Sequence, residues 1–283
     1  MLVQENLSSS TVDLLILGAG WTSTFLIPLL KDKGITYAAT STSGRDGTIK
    51  FLFDPDARED TPYKSLPFAT NIVITFPLKG ALQTDTLLEL YTKTHTKASP
   101  NWIQLGSSGI WQLPDQECWV TRKSRYDTSN SRAQAEDRLM EKGGCSLNLA
   151  GLWGGARNPR NWLSRVANSK EQLGDKASLH MIHGQDVARA IIALLGDAFT
   201  PGERWMLTDM FVYDWWALAI GWGDGGDRGT DKDAEGPHPG WVTELMIEKG
   251  VKALPRSMEL LGRCYDTREF WNRFKLAPVR ARI

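Results

Sequence analysis

The chain has 283 residues, 41% hydrophobic and 23% charged, enough apolar material to bury a core as one large domain or as a domain with a smaller cap. Thirty-three basic side chains balance thirty-three acidic ones, so no net field draws it to nucleic acid or to an anionic membrane, and a small-molecule partner is expected instead. No segment approaches the ~18 consecutive apolar residues of a membrane span, and residues 1–13 have neither a basic start nor a signal-length apolar run; a cytoplasmic protein is expected, with monomer and homodimer both open.

Apolar runs of strand length fall at residues 13–18, 35–41, 48–53, 71–76, 101–107, 145–151 and 204–209. Most are apolar on both faces, as strands covered by helices on both sides must be. Helix-forming segments at 85–95, 131–144 and 184–196 separate the later strands, the last with Val187, Ile191 and Leu194 on one face. This alternation is the pattern of a parallel sheet with crossover helices. Residues 221–240 are rich in glycine and charge and read as a loop, either a surface insertion or an active-site lid. Cys118, Cys145 and Cys264 lack metal-ligand spacing and read as buried thiols. No metal site is expected.

The segment "LLILGAGWTSTFLIPLL" places a buried strand before Gly18-Ala19-Gly20 and an apolar helix after it. In a dinucleotide fold the first glycine makes the tight turn and the second lets the backbone approach a pyrophosphate. The helix N-terminus, with Trp21, Thr22 and Ser23, then offers amides to it. Ser23 takes the place of a third glycine, and Pro28 is expected to kink the helix. The second strand ends in "TSTSGR", namely Thr40, Ser41, Thr42 and Ser43, with Arg45 beyond, and lacks the carboxylate that holds a ribose 2′-hydroxyl. A guanidinium there suits a 2′-phosphate, so NADP(H) is expected over NAD(H). An ordinary polar turn is the alternative. The expected fold is α/β: a Rossmann-type doubly wound parallel sheet over residues 1–210, with a smaller, partly helical substrate-side part over 211–283.

With "LGAGWTS" after the first strand, "ITFPLKG" after the fourth, "LGSSGIW" after the fifth, "RAQAEDRL" on the next helix, "LAGLWGGARNP" after the sixth and "IHGQDVARAI" later, the chain resembles the short-chain dehydrogenase/reductase superfamily. The likeness is to its extended and atypical branch with epimerase/dehydratase-like domains, over roughly residues 13–210. It implies a cofactor across the carboxyl ends of the strands, with Thr75, Phe76 and Pro77 on its path. It also implies a serine after the fifth strand, where Ser107 and Ser108 stand, and a Tyr-x-x-x-Lys pair on the next helix. That pair is missing: Thr128 stands at the Tyr position and Arg132 at the Lys position. A threonine hydroxyl is too weak an acid to replace a phenol, and an arginine holds a ligand without releasing a proton.

Tyr126 and His183 remain as displaced acid–base candidates beside Ser107, Ser108 and Arg132, with a packing role open for Tyr126 and a strand-to-helix turn for His183. Trp111 and Trp153 are candidate walls for a substrate alongside Ser108. Eight of the twelve tryptophans lie from Trp153 onward, and two or three are expected at the cleft, which suits a bulky hydrophobic ligand. Three functions stay open: an NADP(H)-dependent oxidoreductase or epimerase-like enzyme, a non-catalytic NADP(H) sensor, and a non-redox isomerase, dehydratase or cyclase on the same scaffold.

Overall fold

The computed structural model describes residues 11–222 and 236–283. Each of the seven expected runs supplies a strand: Thr11–Leu17 (β1), Tyr37–Ser41 (β2), Ile49–Lys50 (β3), Phe68–Ile74 (β4), Asn101–Ser107 (β5), Cys145–Leu149 (β6) and Arg204–Leu207 (β7). They form one seven-stranded sheet in the order β7-β6-β5-β4-β1-β2-β3. Every pairing is parallel, with Leu14 opposite Tyr37 on one side of β1 and Leu15 opposite Ile72 on the other. This is an α/β, doubly wound Rossmann-type fold, and its strand order reverses between β1 and β4.

Alternation along each strand builds the two faces. Leu14, Ile16, Val73 and Ile103 point into one apolar layer with Leu26 and Leu30 of helix α1 (Ser23–Asp32). Leu15, Leu17, Ile72, Ile74 and Trp102 point into the other, against Leu87, Leu90 and Tyr91 of α2 (Gly80–Thr94) and Leu139 of α3 (Ser131–Glu141). Each fully buried Leu or Ile here contributes about 2 kcal/mol. Helix α4 (Gly184–Ala193) lies beside α1 with Val187, Ala190 and Ile191 inward. Helix α1 runs on through Pro28 to Asp32, so the expected kink does not end it.

A smaller apolar cluster joins Trp215, Trp216 and Trp222 of α5 (Trp215–Trp222) to Val242 and Leu245 of α6 (His238–Glu248), and also to Leu163, Ala167 and Leu173. This cluster thus draws on chain from both sides of residue 210. The Asp214 carboxylate anchors it: it accepts hydrogen bonds from the Arg256 guanidinium and amide, and the guanidinium lies over Trp216. The tail folds back onto the main layer, where Phe270 and Trp271 are buried and Asp186 of α4 accepts the amides of Val279 and Arg280. The loop expected at 221–240 falls mainly on residues 223–235, outside the described residues; its ends belong to α5 and to the start of α6. All three cysteines are free thiols, Cys145 and Cys264 buried and Cys118 half-buried, with the Cys118 and Cys264 sulfurs 3.8 Å apart. No described helix is long and apolar enough to cross a membrane, and no metal-holding cluster of His, Cys, Asp or Glu occurs among the described residues.

Candidate functional site

The carboxyl ends of β1, β2 and β4 enclose a cleft of about 420 Å³ at the point where the strand order reverses, the place such sheets bind ligands. Gly18, Gly20, Trp21, Thr22, Ser41, Thr42, Ser43, Arg45, Thr75 and Phe76, all expected here, line it. Gly18 has φ +94°, and a Cβ on it would sit 2.7 Å from Thr75 Oγ1, which donates to the Leu17 carbonyl. Thr40 pins the loop from below: its Oγ1 accepts the Gly18 amide at 3.0 Å and its carbonyl the Ala19 amide at 2.6 Å.

Gly20 differs. Its φ is ordinary and nothing approaches the position of a Cβ within 4 Å. Just beyond it the amides of Trp21 and Thr22 have no acceptor among the described residues. Two free amides and the positive end of a ten-residue helix, behind a glycine with open space over it, suit a pyrophosphate. Ser23 at the third glycine position is buried, and its hydroxyl lacks a partner among the described residues.

The hydroxyl run after β2 divides by role. Thr40 and Ser41 are buried and committed to the fold; Ser41 Oγ accepts the amides of Gly44 and Arg45 and so shapes the turn that carries the arginine. Thr42 and Ser43 are exposed and available to a ribose. Arg45 is exposed, and Nη2 donates to the Ala19 carbonyl at 3.3 Å, which draws its guanidinium over the loop. Arg157 arrives from the turn after β6, its guanidinium 4.4 Å from the Trp21 ring centre, while Trp21 Nε1 donates to the Gly154 carbonyl. Sequence reading missed Arg157; the signal was the "GGAR" turn, where Gly154 and Gly155 both have positive φ. Pro77 is exposed at the edge and does not line this cleft.

A second cleft, about 650 Å³, opens at the ends of β5 and β6 and is lined by Ser107 and Ser108. Their backbone is fixed from both sides: Asn148 Nδ2 donates to the Ser107 carbonyl, and the Tyr265 hydroxyl donates to that of Ser108. Tyr265 and His180 share this wall with their rings stacked at 4.3 Å. The Tyr265 amide donates to His180 Nε2 at 3.0 Å, so the imidazole proton resides on Nδ1, which has no partner among the described residues. Burial and, secondarily, the Arg263 charge push His180 down to about 3, so it stays neutral at physiological pH. Neither His180 nor Tyr265 was anticipated, because both reach the cleft from segments far from the phosphate loop and carry no motif.

The other expected residues lie elsewhere. The Tyr126 hydroxyl donates to Asp137 Oδ1 at 2.8 Å and its ring carries the Arg204 guanidinium at 4.4 Å; it lines neither cleft and is a packing tyrosine. His183 caps α4, its Nδ1 accepting the Gln185 amide, and its ring is wedged between Phe25 and Trp153. Burial lowers its pKa, and a Cβ on Gly154 would collide with it, so it serves the turn. Trp111 is fully buried with Nε1 donating to the Ser124 carbonyl, and Trp153 packs on His183; neither lines the second cleft. Of the eight tryptophans from Trp153 onward, Trp215 alone among the described residues lines it. Thr128 is exposed, and Arg132 stands in the first turn of α3, its amide capped by Asn130, lining neither cleft. One turn on, Glu136 is buried against Asn148 and Arg204, and burial raises its pKa against their pull.

No family model and no curated protein matches this sequence. Solved structures share the fold. A short-chain dehydrogenase/reductase superfamily protein from Agrobacterium tumefaciens with bound NAD has a TM-score of 0.62 at 10% identity, covering 96% of this chain and 93% of that one. The dTDP-glucose 4,6-dehydratase of Bacillus anthracis, in complex with NAD, has 0.58 at 13% identity, with 95% and 92% covered. A functionally unknown conserved protein from Silicibacter pomeroyi has 0.61 at 14% identity, with 96% and 95% covered. At such identities the likeness is one of fold.

Proposed function

We propose that the chain is an NADP(H)-dependent enzyme of the short-chain dehydrogenase/reductase kind, oxidoreductase or epimerase-like, that works without the Tyr-x-x-x-Lys pair on a small molecule with an apolar body. The observation that carries this is the phosphate loop: a left-handed Gly18 locked by Thr75 and Thr40, an unobstructed Gly20 and two free amides. Arg45 and Arg157 flank it; no carboxylate lines the cleft itself, and the nearest to Arg45, Asp46, stands 3.9 Å from its Nε with both side chains exposed to solvent. The fold neighbours that carry NAD make a nicotinamide dinucleotide the natural occupant. Bound there, a reduced nicotinamide supplies a hydride.

The protein's part is binding, orientation and polarisation. Thr42 and Ser43 face the ribose, and Arg45 holds the 2′-phosphate. Ser107 and Ser108 orient the substrate oxygen at the mouth of the second cleft. His180 offers it a hydrogen bond from Nδ1–H; a neutral imidazole polarises a carbonyl without donating the proton outright, and solvent in the open cleft delivers that proton. Thr128 and Arg132 take no part in proton transfer.

A second reading has its own support. Thr128 and Arg132, at the positions of the missing pair, line neither cleft, as in a dinucleotide sensor that has lost its chemistry. The test is titration with NADPH followed by a carbonyl panel, read by nicotinamide absorbance. Carbonyl-dependent oxidation supports the reductase, and saturable binding without turnover supports the sensor. Product without cofactor consumption supports a non-redox enzyme, and absence of nucleotide binding rejects the whole reading.

A further inference from the structure

The arginines that are buried or bridge elements in this protein are mostly paired. Arg256 meets Asp214, Arg138 meets Asp85, Arg189 meets Asp186 and Arg268 meets Asp266. Arg122 and Arg204 have nitrogens without partners, but each also carries two carboxylates. Arg263 is the exception at the second cleft. Among the described residues it makes no ion pair and no side-chain hydrogen bond, and its Nε is buried without an acceptor, although a buried donor left unmade costs about 1–3 kcal/mol.

Lys176 lines the same cleft, also without an ion pair among the described residues. The two segments touch: Ser178 Oγ donates to the Arg263 carbonyl at 2.6 Å, and Arg256 Nη2 donates to the Lys176 carbonyl at 2.7 Å. The one acidic residue on this rim, Asp175, is exposed and pairs with neither cation. The Arg263 charge is felt inside the cleft, where it helps to keep His180 unprotonated and opposes the burial that raises the Tyr265 pKa. Leu179, Trp215 and Leu261 supply apolar walls.

We infer that the second cleft selects an anionic substrate, an apolar body ending in a carboxylate or phosphate that Arg263 and Lys176 hold at the rim while the reacting carbon lies toward Ser107. An oxyanion at Arg263 gives its guanidinium the counter-charge it lacks among the described residues and cancels the field on His180. This rests on the reading of that cleft as the substrate site.

The test uses the full-length protein with NADP+ and three probes of similar shape: benzoate, phenyl phosphate and the neutral isostere benzamide, with affinities from ligand-detected NMR. Benzoate, phenyl phosphate or both bind at least roughly tenfold tighter than benzamide, the preferred anion identifying the headgroup. Arg263→Gln and Lys176→Gln each shrink that preference several-fold, as does added salt, and binding of the anion raises the His180 pKa. Equal binding of all three probes, or a preference that survives both substitutions, overturns the inference. NADP+ affinity is read on the same samples. Its loss with the anion preference intact rejects the dinucleotide cleft alone, and the converse rejects the anion subsite alone.

Discussion

Gly20→Ala separates a phosphate loop from an ordinary strand-to-helix turn. The protein itself has room for the methyl group: φ at Gly20 lies outside the left-handed region and no atom comes within 4 Å of the new Cβ. Folding is therefore unharmed, and the narrower unfolded ensemble adds about 0.4–1 kcal/mol, a rise in Tm of a few degrees at most. A pyrophosphate, however, approaches through that open space to reach the amides of Trp21 and Thr22. Losing one charge-assisted hydrogen bond there costs about 1.5–3 kcal/mol, or roughly 10–150-fold in NADPH affinity. Gly18→Ala is the contrast. With φ +94° and Thr75 Oγ1 2.7 Å from the Cβ position, it forfeits about 1–3 kcal/mol of stability as well as binding. The assays are thermal melting without ligand and calorimetric titration with NADPH. A Gly20→Ala protein that melts as wild type and binds NADPH equally well refutes the reasoning, because the open space then has no occupant.

Further outcomes follow from the same geometry. His180 titrates near 3 when folded and near 6.5 when unfolded, so between these values the unfolded chain binds more protons. Stability is intact above about pH 6.5 and falls by up to about 1.4 kcal/mol per unit below it; denaturant titrations at several pH values show this slope, which His180→Gln reduces. Asp214→Asn leaves the buried Arg256 without its counter-charge and costs about 3–5 kcal/mol, a fall in Tm of roughly 10 °C that the double variant Asp214→Asn/Arg256→Met reduces, because the Asn oxygen still accepts a backbone amide of the pair at positions 216 and 256 while the buried charge is gone. Tyr126→Phe removes the hydrogen bond to Asp137, costs about 1 kcal/mol in chemical denaturation, and leaves turnover and its pH profile unchanged; a lost alkaline limb in that profile contradicts the packing role.

The sheet was legible because each strand is a short apolar run, and burial on both faces leaves such runs few other places to go. Leu14 and Ile16 against Leu15 and Leu17 already encode two layers. The glycine turn after β1 was legible for a related reason, since glycine spacing before an apolar helix is local. The second cleft is not local: Ser108, His180 and Tyr265 meet across more than 150 residues, through contacts of backbone amides and carbonyls that no periodicity reports. Tyr126, read as a displaced acid with packing left open, and Trp111, read as a ligand wall, each stand near a motif, but their polar atoms are taken by Asp137 and by the Ser124 carbonyl. Thr40 and Ser41 pin the loop, which the sequence does not report, while Thr42 and Ser43 stay exposed.

The account turns on Arg45 as the group that reads a 2′-phosphate. Competitive titration of NADPH against NADH, on wild type and Arg45→Ala, tests this directly. NADPH binds at least roughly tenfold tighter to wild type, and the substitution weakens NADPH by about 10–100-fold while leaving NADH nearly unchanged, as loss of a charge-assisted contact requires. Tighter binding of NADH, or an equal loss for both nucleotides, contradicts it.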